Sequence, residues 1–283
     1  MPLDFFSADH ALYDRPQGIP LLNRDSPQAR GLVGWWPLTW DIRDYSGRNN
    51  HGVGDQQGTG SIPTHTILDV GGVVDFEASS TTNGGSVQAD FSLLNIGADG
   101  PISMAIWLEI ETILSTGVEL CFSIGDDVAN QSIFLGYRNV AGGQWQWQVW
   151  SGTNVVSGTP TLTAGARVLL AGTYDGATMR LFVDGIERSS GAESVLSFGS
   201  GSPDVRIAGR PSDGNALLPD NKMWDARIWN RVLAPAEMWA LYHPTTRWDL
   251  YWQPRIMVPG FVAAAGVAGR RLMNTPLNFG FMR

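Results

Sequence analysis

Apolar and polar residues alternate with a period of two along much of the chain. The pattern is sharpest in residues 168–187, VLLAGTYDGATMRLFVDGIE. There Met179, Leu181 and Val183 alternate with Arg180 and Phe182, which predicts a strand with one face buried. An Asp-Gly pair stands on each side, Asp175-Gly176 and Asp184-Gly185. Glycine takes positive φ at no steric cost and aspartate tolerates it, so both pairs read as hairpin turns. The stretch is expected to run up, down and up, with residues 168–174 first and a strand from Ile186 last. Three strands cannot stand alone in water, so the rest of the chain must supply a facing sheet.

Residues 102–110 carry the same signal, with Ile102, Met104, Ile106, Leu108 and Ile110 on one face and Ser103, Ala105, Trp107 and Glu109 on the other. Further strands are expected at 119–124, 132–138, 144–150, 204–208 and 223–229. GLVGWWPL opens the series and is stopped by Pro37. Residues 68–76 read as one strand interrupted at Gly71-Gly72, and 86–91 as another. One short helix is predicted over 235–242, with Pro235 at its first position and Glu237 near the positive end of the dipole. Its stripe of Met238, Leu241 and Tyr242 is expected to seal one end of the body. Ala234 offers no capping oxygen, at a cost of about 1 kcal/mol. Many short strands with Gly-rich turns give an all-β, two-sheet antiparallel sandwich. Residues 1–30, with Pro2, Pro16, Pro20 and Pro27, read as an extended arm. The globular domain is expected over 31–243 and a tail over 244–283.

Charge narrows the function. The net charge is −8, which argues against nucleic-acid binding, because phosphate affinity needs basic surface. From Pro254 onward the chain holds Arg255, Arg270, Arg271 and Arg283 and no acid, so +4 there leaves −12 on residues 1–253. Cys121 is the sole cysteine; it sits in an apolar run and is expected to be a buried, inert thiol. The start MPLDFFSADH lacks the features of a signal peptide, and no apolar run approaches ~20 residues. The expectation is a chain made in a host cytoplasm without membrane insertion. His10, His51, His65 and His243 are scattered, with no obvious nucleophile beside them.

Four segments, in order, resemble the laminin-G-like, concanavalin A-like jelly-roll family: GLVGWWPL with DYSGRNNHG, ISMAIWLEI, LAGTYDGATMRLFVDGIE, and MWDARIWNRVLAPAEMWALY. The resemblance spans about residues 31–243 and implies a jelly roll with one short C-terminal helix; the extended terminal arms lie outside it. It also implies a structural Ca²⁺ between an early loop and the closing strand. Carried over by position, Asp44 and Asp225 would supply carboxylates, and Asn49, Asn50 or Gly52 carbonyl or amide oxygens. The competing reading is that Asp44 and Asn50 only hydrogen-bond the turn backbone. The opening LLNRDSPQARGLVGWWPL and the tail also resemble phage virion proteins that carry this domain.

Two further sets were weighed. QWQWQVW at 144–150 suggests a sugar platform, yet alternation puts Trp145, Trp147 and Val149 on one face, as in a half-buried strand. That leaves Trp150, with Gln146 and Gln148, as the glycan candidates. Glu109 and Glu111, two apart, invite comparison with glycoside hydrolases of this fold, but the run E-I-E-T-I-L lacks the further acids of such a motif. The leading expectation is a non-enzymatic virion structural protein, on head or tail, that presents the jelly roll to the outside. Its expected partners are other virion proteins and further copies of itself. Arg255, Phe261, Arg270, Arg271, Phe279, Phe281 and Arg283 would make its assembly contacts. A free carbohydrate-binding module is the alternative, and a glycosidase is third.

Overall fold

The structure, a computed structural model, describes residues 15–252 apart from residues 17, 58–60, 69–70, 79–82, 114–116, 127, 140–142, 199–202 and 212–218. In chain order the strands are β1 (Leu32–Trp36), β2 (Val53–Gln57), β3 (Thr64–Leu68), β4 (Gly71–Phe76), β5 (Gly84–Asp90), β6 (Ile102–Thr112), β7 (Val118–Gly125) and β8 (Ser132–Arg138). They continue with β9 (Gln144–Val149), β10 (Asn154–Ser157), β11 (Arg167–Tyr174), β12 (Thr178–Val183), β13 (Ile186–Ala192), β14 (Asp204–Ile207) and β15 (Asp220–Trp229), followed by helix α1 (Pro235–Tyr242). The first sheet runs β13-β12-β11-β6-β15-β4-β3, with β1 also paired to β15; the second runs β10-β9-β8-β7-β14-β5-β2. The body is an all-β antiparallel jelly-roll sandwich with one short helix.

The meander forms as its turns dictate. Asp184 and Gly185 take φ of +55° and +73°, the pair of left-handed residues that a two-residue hairpin needs. Asp175 holds the other turn by accepting from the N–H groups of Ala177 and Thr178 at 2.9 and 2.7 Å. Between the sheets lies one apolar layer, to which β6 gives Ile102, Met104, Ile106, Leu108 and Ile110. Trp36, Trp145 and Trp147 enter the same layer. The Trp147 indole donates to the Thr173 carbonyl at 3.0 Å, and a Cβ on Gly172 would stand 2.5 Å from that ring, so glycine is required for the sheets to approach there.

Three expectations need correction. Residues 68–76 are not one strand: β3 and β4 form a hairpin, because Gly71 with φ of +99° turns the chain where an interruption was read. The helix does not seal an end of the sandwich. Met238 and Leu241 lie on the outer face of the first sheet with Trp35, Trp107, Phe182, Trp224 and Trp229. The packed body also exceeds 31–243. Gln28 and Arg15 are buried before it, and Trp248, Leu250 and Tyr251 after it. The two flanks pair with each other: Asn23 N–H donates to Leu250 O at 2.8 Å, Leu22 bridges Tyr251, and Trp252 N–H donates to Leu21 O at 2.7 Å. Among the described residues no helix is long and apolar enough to cross a membrane.

Candidate functional site

Helix and flanks cover the middle of the first sheet's outer face, and the outer face of the second is the other broad surface of the sandwich. Strand register sets what stands there. Gln88, Arg206, Ser123, Phe134, Gln148 and Asn154 face one another across six strands, alternating with core residues on each. Arg206 is only 4% exposed and fully engaged: it donates to Asp204 at 2.9 Å, Ser86 Oγ at 3.0 Å and Asp55 at 2.5 Å. Gln88 also donates to Asp204, at 3.0 Å.

At the other end of this face stands Trp150, half-buried, its N–H donating to Ser132 O at 3.0 Å. The Arg210 guanidinium lies 4.1 Å above its ring, a cation–π stack. The chain crosses the sheet just before Arg210: Gly209 N–H donates to Leu120 O at 2.8 Å, and Ser123 Oγ donates to Gly209 O at 2.7 Å. Sequence reading missed Arg210, for it follows an Ala-Gly turn outside any periodic strand. The stack sets a cation and an indole side by side at the edge of this face. Gln148, half-buried, stands on the same face. Gln146 does not join them: it is wholly buried, its amide has no hydrogen-bond partner among the described residues, and it cannot touch a ligand on this surface.

The residues expected to bind calcium do not fit a metal. Asp44 is consumed as a loop organiser: Oδ1 accepts from Trp35 N–H at 3.0 Å and Ser46 N–H at 2.8 Å, while Oδ2 accepts from Ser46 Oγ at 2.8 Å and Asn50 N–H at 3.1 Å. Asn50 brackets the backbone of Asp90, its amide donating at 2.7 Å and accepting at 2.8 Å. Asn49 takes φ of +58° at an exposed turn, and Gly52 N–H donates to Ile42 O at 2.8 Å. Asp225 accepts from the Trp35 indole at 2.8 Å and is ion-paired with Arg227. Asp44 and Asp225 thus hold the backbone and the indole of one tryptophan, with a cation already on Asp225. Among the described residues, no group of three or more His, Cys, Asp or Glu is placed to hold a metal ion.

The other acids and the thiol are equally committed. Glu109 pairs with Arg167 at 2.6 Å, and Glu111 contacts the Lys222 ammonium. Lys222 also lies 3.6 Å from Asp75, whose carboxyl is pushed up to about 6 by burial and then by the neighbouring charge of Glu111. Cys121 is wholly buried, and burial raises its thiol well above the usual range. The expected assembly contacts Arg255, Phe261, Arg270, Arg271, Phe279, Phe281 and Arg283 lie outside the described residues.

The sequence profile of the concanavalin A-like lectin/glucanases superfamily matches residues 81–238, more than half of the chain. The chain belongs to this superfamily. A comparison with curated proteins gives no match. Solved structures similar to this lectin/glucanase sandwich include domain 4 of AbnA, a GH43 extracellular arabinanase from Geobacillus stearothermophilus, in complex with arabinotriose. That likeness has 14% identity and a TM-score of 0.56 over 75% of this chain and 98% of that one. The binding domain of Paraclostridial Mosquitocidal Protein 1 is similar at 12% identity and TM-score 0.55, over 76% of this chain and 52% of that one. The receptor binding domain of a botulinum neurotoxin C/D mosaic serotype is similar at 16% and 0.53, over 76% and 51%. The chain spans about half the length of the two toxin domains, and at these identities the likeness shows the fold alone.

Proposed function

We propose that the chain is a non-catalytic, glycan-binding module built into a larger particle, a phage virion in the reading its flanks favour. One observation carries the binding half: the first sheet's outer face is covered by the chain's own helix and flanks, whereas the second's holds Trp150 and Arg210 with Gln148 beside them. The structural neighbours support it, since they include a domain crystallised with arabinotriose and toxin binding domains. Against catalysis, Glu109 and Glu111 are neutralised by Arg167 and Lys222, on the sheet remote from Trp150. A glycan array read with wild-type and Trp150→Ala tests the site; binding that survives the substitution refutes it.

The virion half rests on the flanks. Their described parts, 15–29 and 244–252, pack on their own body, so attachment to a particle falls to residues 1–14 and 253–283. Of these, 254–283 carry +4 against −12 on the rest, a charge split suited to docking on a complementary partner. Deleting 254–283 is expected to abolish incorporation into particles while leaving Trp150-dependent binding intact. Unchanged incorporation sinks the anchoring role.

A further inference from the structure

Four oxygens converge on one guanidinium under the covered face of the first sheet. Arg227 Nε donates to Asp225 Oδ1 at 3.1 Å, and one terminal nitrogen donates to Gln28 Oε1 at 2.8 Å. The other contacts Asp225 Oδ2 and donates to the Arg247 carbonyl at 3.2 Å. Carboxylate, amide and carbonyl oxygens gathered round a positive charge are the donor set of a hard cation. Here a side chain fills it. Both members of the pair are sealed, Asp225 at 1% exposure and Arg227 at 2%.

The backbone is shaped to bring them there. β15 carries a bulge between Trp224 and Arg227, and Asp225 within it takes φ of +57°, a conformation that L-residues rarely adopt. Strict alternation from Met223, which faces the core, would point Arg227 between the sheets. The extra residue resets the faces, so Ala226 and Ile228 enter the core while Arg227 turns outward beside Asp225. The same carboxylate accepts from the Trp35 indole at 2.8 Å and from Tyr251 Oη at 3.3 Å. A second buried guanidinium repeats the theme: Arg15 donates to the carbonyls of Gly72 at 2.8 Å and Pro37 at 2.5 Å. Gln28, Trp35, β15, Arg247 and Tyr251 are all joined through one pair of charges.

We propose that Arg227 is the resident cation of this clasp. The chain carries its own positive charge where an inorganic ion would otherwise tie an early segment to the closing strand. It therefore fastens both flanks without a divalent metal. The proposal does not depend on the glycan or virion readings.

Thermal unfolding of the purified full chain tests it directly. The midpoint is expected to be the same in excess EDTA and in a millimolar excess of CaCl₂; a saturable rise with calcium overturns the proposal. Arg227→Gln is expected to lower the midpoint by about 10 °C, since it strands a buried carboxylate. Adding Asp225→Asn to that variant is expected to restore part of the loss, because the stranded charge is then gone. A double variant no more stable than Arg227→Gln counts against a charge-based clasp. Should Arg227→Gln fail to fold, the calcium titration of the wild-type chain still decides.

Discussion

The two sheets share one core but finish their outer faces with different chemistry. On the first, Trp35, Trp107, Trp224 and Trp229 are covered by Met238 and Leu241 of the helix and by Trp248, Leu250 and Tyr251 of the following segment. On the second, Ser123, Phe134, Gln146 and Arg206 are buried too, but polar groups and ion pairs stand among them, with Gln88 exposed and Gln148 and Trp150 half-buried. A sandwich needs only one apolar layer to fold. A second apolar layer outside one sheet commits that face to stability, whereas the other face spends polar side chains on its cover and leaves only its edges half-exposed.

Substitutions should expose the asymmetry, most strongly on the covered side. Trp229→Ala removes a buried ring whose indole donates to Gln28 O at 2.7 Å. It is expected to cost about 3–5 kcal/mol, read from the midpoint of urea unfolding. A loss below about 1 kcal/mol would mean that the second layer is packed loosely and the contrast is false.

Next comes Asp75, whose carboxyl holds its proton up to about pH 6 in the folded chain. The folded state binds that proton more tightly than an unfolded aspartate does, so ionisation above pH 6 opposes folding and protonation favours it. The wild-type chain should gain stability as pH falls from 7 toward 5. Asp75→Asn should raise the melting temperature at pH 8, with the gain fading by pH 5; a gain equal at both pH values would remove Asp75 as the source.

Glu237→Ala is expected to cost about 1 kcal/mol by chemical denaturation. Glu237 accepts from the Ala234 N–H at 2.9 Å, the half of a capping box that an alanine cap still permits, and pairs with Arg231 at 2.7 Å. Arg231→Ala should then add little to Glu237→Ala. The smallest effect belongs to the half-exposed edge of the second sheet: Trp150→Ala should change stability by no more than about 1 kcal/mol, the worth of its stack on Arg210. A large loss there would turn Trp150 from a contact residue into part of the scaffold.

The core layer was legible because strand alternation is a local signal. β6 and the β11–β13 meander show it in their own residues, and the Asp-Gly pairs fix their turns. The split of Trp35 from Trp36 and the inward turn of Trp145 and Trp147 followed the same rule. The second layer was not legible. Trp107 on the polar side of β6 hinted at a cover, but Trp248, Leu250 and Tyr251 form no regular element, so no period announces them. β2 and β10 were missed because edge strands with Gln, Asn and Ser carry little alternation. The site was harder still. Asp44 and Asp225 have the right chemistry for a metal, but only the bulge reveals that Arg227 stands beside Asp225.

The ribbon formed by residues 21–23 and 250–252 sets how the body answers a pull. Its two strands leave in the same direction, side by side, so tension between them would load the rungs singly, like a zipper, instead of all at once. On the N-terminal side the buried Arg15, held by the carbonyls of Gly72 and Pro37, would have to leave the body before the Trp252 to Leu21 rung was loaded. The sandwich would therefore feel the force at Gly72 and Pro37 before it reached the clasp at Asp225.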